Sequence, residues 1–103
     1  MTHKRIEDET PILPFVIADS VTRELEKYLG RQLDSRESLI ERIVAKGDGC
    51  YQHDECFRRM IRGTNGRDYM YMFMRHWLAA ELYPNIKVPQ SFANGQELEV
   101  EKP

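Results

Sequence analysis

The stretch Asn65–Pro84, N-G-R-D-Y-M-Y-M-F-M-R-H-W-L-A-A-E-L-Y-P, constrains the fold of this chain more than any other. Asn65 offers an N-cap, and Asp68 places a carboxylate where a helix dipole favours it. Pro84 stops the helix and pushes Tyr83 toward extended geometry. Between those limits the spacing predicts one helix of about 17 residues. At 100° per residue Tyr69, Met70, Phe73, Met74, Trp77, Leu78 and Ala80 sweep about half of its circumference, and Met72, Ala79 and Leu82 widen the apolar surface. A helix apolar on so many sides is covered on more than one of them. It is the expected centre of the fold, with Trp77 in its core.

The flanking segments read as further helices. Asp19 is placed to cap a helix that carries Val21, Leu25, Tyr28 and Leu29 on one face and stops at Gly30. Asp34-Ser-Arg-Glu37 resembles a capping box, followed by the amphipathic stripe Leu39, Ile40, Ile43, Val44, with Gly47 as its expected end. Cys50 to Arg62 reads as a third helix with Cys50, His53, Phe57, Met60 and Ile61 on one side. Gly63-Thr-Asn-Gly66 is a helix-breaking connector. Pro11 and Pro14 bracket an apolar run, Ile12, Leu13, Phe15, Val16, Ile17, which predicts an extended arm over 11–18 rather than a helix. Ile86, Val88 and Phe92 read as an extended strip after Pro84. The expected fold is all-α: a single compact domain of about four helices over 11–95, arm included, with extended N- and C-terminal arms. Residues 1–10 and the acidic 96–103 are expected to be flexible ends.

Chain length fits one domain, and hydrophobic content of 41% with charged content of 31% fits the globular class. The net charge of −2 supplies no general attraction to nucleic acid or acidic membranes. No apolar run is long enough to span a bilayer, and the basic pair near the N-terminus has no apolar signal core behind it, so a cytoplasmic address is expected. On a common helix Cys50 and Cys56 stand about 9 Å apart, beyond disulfide reach, which agrees with reduced thiols.

Catalytic and metal chemistry find little purchase. Cys50, His53 and Cys56 include the ligand types zinc prefers, yet on one helix they diverge instead of converging on a point. Glu55 and Asp54 beside Cys56 disfavour a thiolate, and no glycine loop carries the lysine of a phosphate cradle. No enzyme, cofactor or metal site is expected. A helix-turn-helix is disfavoured as well, because Asp54 and Glu55 would lead the reading helix into the groove.

Two surfaces remain. From Phe57 to Arg75 the chain carries five arginines against one aspartate, a net +4. Arg58, Arg59 and Arg62 are expected to share an exposed face with Tyr51, and Arg67 adds to this patch for anions or partners. The second surface is apolar: Ile12, Leu13, Phe15, Val16 and Ile17 of the arm, with Met72 on the far side of the core helix, exceed what a small domain covers by itself. These features lead to a non-catalytic protein-interaction or regulatory module, self-associating as a homodimer or binding a protein partner, without membrane contact. A nucleic-acid-associated regulator that grips phosphates through the arginines is the alternative.

Overall fold

Among the described residues four helices and a helical turn follow one another: α1 (His3–Leu29), α2 (Arg36–His53), α3 (Glu55–Arg62), α4 (Gly66–Leu82) and α5 (Gln90–Ala93). The computed structural model describes the backbone of residues 3–95 and the side chains of residues 14–95. The fold is all-α, and there is no strand among the described residues. The core helix has the expected span: α4 is 17 residues long, with Asn65 at its N-cap position and an extended Tyr83 at its C-cap. Met70, Met74, Leu78 and Leu82 form its buried stripe.

Helix directions follow from contacts that cross the bundle. Tyr71 meets Ser20, and Arg75 meets Glu24, both at a sequence separation of 51 residues, so α4 runs parallel to α1. Arg42 pairs with Glu81 at 2.8 Å while Gly47 lies against Trp77 and Met74, so α2 runs antiparallel to α4. Ile17, Ala18, Val21 and Leu25 of α1 and Leu39, Ile40 and Ile43 of α2 close on the α4 stripe. Short α3 packs Phe57 onto α4, its ring 4.9 Å from Phe73 and 5.9 Å from Trp77. Phe92 of α5 is fully buried, its ring 5.5 Å from Tyr28 of α1. Thr22 is the buried polar residue of the core; its hydroxyl donates to the Ala18 carbonyl one turn earlier at 2.8 Å.

Several boundaries differ from the sequence reading. Residues 11–18 are helical: α1 passes through Pro11 and Pro14, and Asp19 sits within it, paired with Arg23 at 2.9 Å rather than capping. A proline removes one hydrogen-bond donor but already holds the φ a helix needs, and the buried run from Ile17 onward commits the segment to helix. Gly47 does not end α2. It lies on the packed face of the stripe beside Trp77 and Met74, where an alanine Cβ would make ordinary van der Waals contact, 3.5 Å from the Trp77 ring. The break falls at Asp54, extended, whose carboxylate accepts the Phe57 N–H at 3.1 Å and opens α3. Ser35, not a capping box, precedes α2, without a side-chain cap bond. Trp77 is half-buried at the edge of the core, and Phe92 lies on a helical turn rather than an extended strip. Gly30 ends α1 as expected, with φ +73.

Gly66 and Gly49 make opposite demands on an alanine. A Cβ at Gly66 would fall on the carbonyl of Ile61, so Gly66→Ala is expected to displace the α3–α4 corner and cost at least about 1–3 kcal/mol. A Cβ at Gly49 meets nothing, so Gly49→Ala inside α2 is expected to stabilise by about 0.4–1 kcal/mol. Urea denaturation of the two variants checks both signs.

Candidate functional site

The arginines expected to share a face are distributed over two helices, and most are engaged by the chain itself. Arg58 of α3 donates to the carbonyls of Tyr51 and Gln52, the last turn of α2, and its guanidinium lies 5.9 Å from the Tyr51 ring. The structure thus brings Tyr51 and Arg58 together, as a clasp on carbonyls that a helix end leaves without intrahelical donors. Arg59 pairs with Glu55 one turn away at 3.4 Å, both well exposed. Arg62 is exposed at the end of α3. Arg67 belongs to α4, where its guanidinium lies 5.8 Å from the Tyr71 ring. Arg75 approaches the same ring, 5.4 Å from its centroid, and donates from Nε to Glu24 at 3.3 Å. Arg67, Tyr71, Arg75 and Glu24 therefore form a ladder along the α1–α4 seam.

The apolar candidates divide as well. Ile17 is fully buried in its own subunit, whereas Phe15 is 53% and Val16 45% exposed. The side chains of Ile12 and Leu13 lie outside those described. Met72 is exposed at 37%, and Tyr83, which the sequence did not single out, at 67%.

Cys50 is half-buried on α2, Cys56 exposed on α3, and His53 exposed at the end of α2, with the Asp54 break between the helices. Among the described residues no three His, Cys, Asp or Glu side chains are grouped to hold a metal ion, and no helix is long and apolar enough to cross a membrane. Two open clefts lie at the end of the bundle where α1 turns into α2. One, of about 490 Å³, is lined by Glu26 and residues 32–38; the other, of about 300 Å³, lies between Arg31, Arg42, Glu81 and Asn85 over Leu39 and Leu82.

A polar knot fixes that end. Glu26, 10% exposed, accepts from Arg36 Nη2 at 2.8 Å and from the Leu33 N–H at 2.9 Å. No periodicity announces this contact, because its partners stand on either side of a turn. Burial pushes the Glu26 carboxyl upward, but the Arg36 and Leu33 hydrogen bonds and the charges of Arg36 and Arg23 outweigh it and hold the pKa below the usual value. Comparisons with models of protein families, with curated proteins and with solved structures give no match to this chain.

Two predictions follow from this geometry. A carboxyl depressed in the folded state contributes stability that is present above its unfolded pKa and lost as pH falls through its folded one. Wild-type stability is therefore expected to fall below about pH 4.3, with the Glu26 part of that slope absent in Glu26→Gln when the two are unfolded in urea across pH. Secondly, Arg58→Ala is expected to cost about 1–2 kcal/mol because it strips charged donors from the end of α2. Arg59→Ala and Arg62→Ala, at exposed sites, are expected to stay within about 0.5 kcal/mol. Equal effects at all three positions would contradict the clasp.

Proposed function

We propose that this chain is a non-catalytic α-helical interaction module that self-associates through the exposed apolar face of α1. The observation that carries the reading is the exposure of Phe15 and Val16 on a helix of 27 residues packed against partners of 18 and 17. With the 51-residue offset of the α1–α4 contacts, α4 begins alongside residue 15 of α1. The helical segment before it therefore projects past the start of α4. An isolated helix shorter than about 12–15 residues is marginal in water, so the exposed Phe15 and Val16 at the base of the projecting segment are suited to a second copy laid against them. The proposed address is the cytoplasm, where the free Cys50 and Cys56 remain thiols. The arginine alternative receives less support, since Arg58 and Arg59 are held by their own chain.

Sedimentation velocity tests the proposal. Wild-type protein is expected to form a dimer that persists at high salt, because apolar association is not screened. Phe15→Glu combined with Val16→Glu is expected to give a monomer with an unchanged circular-dichroism spectrum. A wild-type protein that stays monomeric at all concentrations would overturn the proposal. Binding to duplex DNA that weakens steeply with salt would move the assignment to the arginine face.

A further inference from the structure

A seam without charge runs along the outer face of α4. Tyr69, Met72, His76, Ala79 and Tyr83 stand at offsets of 0, 3, 7, 10 and 14, the spacing with which one helix offers itself to another. All five point away from the buried stripe Met70, Met74, Leu78, Leu82. Met72 is 37% and Tyr83 67% exposed, His76 is exposed, and Tyr69 and Ala79 are half-buried. The solvent faces of the neighbouring helices are charged, with Arg23 and Lys27 on α1, Glu41 and Lys46 on α2, and Glu55 and Arg59 on α3. An apolar seam laid on any of these would strip water from charges and give them no partner. Among the described residues, the neutral face of matching length is α4 itself, in a second copy.

The seam is complementary to its own reverse. In an antiparallel pair with the two-fold axis beside His76, Met72 and Phe73 of one copy fall against Ala79 and Ala80 of the other. A large side chain thus meets a small one at each of these levels. Tyr69 comes beside Tyr83 of the other copy, about 10 Å along the helix from the axis. A parallel pair would set Met72 on Met72 and Ala79 on Ala79, crowding one level and leaving the other empty. It would also set Asp68 against Asp68, whereas the antiparallel pair keeps these carboxylates about 24 Å apart along the helices. Arg75, on the flank of the seam, brings Glu24 as its own counterion.

We propose that the outer face of α4 is a second self-association surface, on which α4 of another copy lies antiparallel with His76 beside the two-fold axis. A single helix pair about 21 Å long buries less than the roughly 1,000 Å² of a stable interface, so the contact is weak and reversible. It is separate from the α1 contact and adds a step to it: dimers joined through Phe15 and Val16 pair again through α4.

The Phe15→Glu, Val16→Glu chain isolates this step, because its α1 contact is removed. Its proton–nitrogen NMR spectrum is expected to change with concentration at residues 69–83, following a Kd of about 1 mM. Met72→Glu in that chain sets a carboxylate into the neutral seam at an exposed position and is expected to weaken the contact about tenfold or more. Lys46→Glu, on α2, is expected to leave it unchanged. Disulfide trapping reads the register, in the same chain with Cys50→Ser and Cys56→Ser. His76→Cys is expected to cross-link to its own copy, since a disulfide needs Cα atoms within about 7 Å. Met72→Cys, about 12 Å along the helix from its symmetry mate, is not. A spectrum of residues 69–83 that stays constant well above that Kd would overturn the proposal. So would indifference to Met72→Glu, or cross-linking of Met72→Cys as efficient as that of His76→Cys, which belongs to a parallel pair.

Discussion

Burial of one stripe, Met70, Met74, Leu78 and Leu82, between a parallel neighbour and an antiparallel one is the constraint on which the other elements depend. A helix covered on two sides leaves its partners little choice of face. Val21 and Leu25 of α1 and Ile40 and Ile43 of α2 turn inward because α4 takes up what they bury. Each such side chain removed from water contributes about 1.5–3 kcal/mol, more than any exposed ion pair in the molecule can offer. α3 and α5 then cover what remains, Phe57 packing against Phe73 and Trp77 and Phe92 against Tyr28.

The polar contacts work at a different level. Arg42–Glu81, Arg75–Glu24 and Glu26–Arg36 each join two different helices, and each lies at the edge of the apolar core rather than within it. Their role is register. A bundle held by side chains of similar shape tolerates sliding by one turn, and a charged pair at a helix edge penalises the slipped arrangement. Arg58 does the same for the α2–α3 corner, fixing the angle at which the aromatic trio Phe57, Phe73 and Trp77 meets.

How much of this was legible in the sequence depends on whether a residue's role is local. The limits of α4, the stop at Gly30 and the stripe Leu39, Ile40, Ile43 could be read directly, since neighbours within a few residues decide them. The extended arm over 11–18 was misread because two prolines were weighed against the helix without the tertiary burial of Ile17 and Ala18 that offsets them. The end of α2 was misplaced for the same kind of reason: Gly47 is buried against Trp77 and Met74 of α4, a tertiary contact that no local rule distinguishes from a stop. Of the interaction surfaces, the arginine cluster was visible as composition, but not the clasp that engages Arg58. That depends on the Asp54 corner, which folds α3 back against the end of α2.

The parallel course of α1 and α4 carries a consequence for the topology of opening. Both seam contacts, Ser20–Tyr71 and Glu24–Arg75, close chain loops of 51 residues, whereas the corner joining α3 to α4 closes a loop of a few residues. Loop-closure entropy grows with the logarithm of length, so ordering at the α1–α4 seam costs about 3.5 kcal/mol for a loop of that size, far more than closing the α3–α4 corner. Undocking α1 returns that entropy in one step while α2, α3 and α4 keep their mutual contacts. Among the long helices, α1 is thus the one whose detachment releases these long loops while leaving the other helices joined to one another.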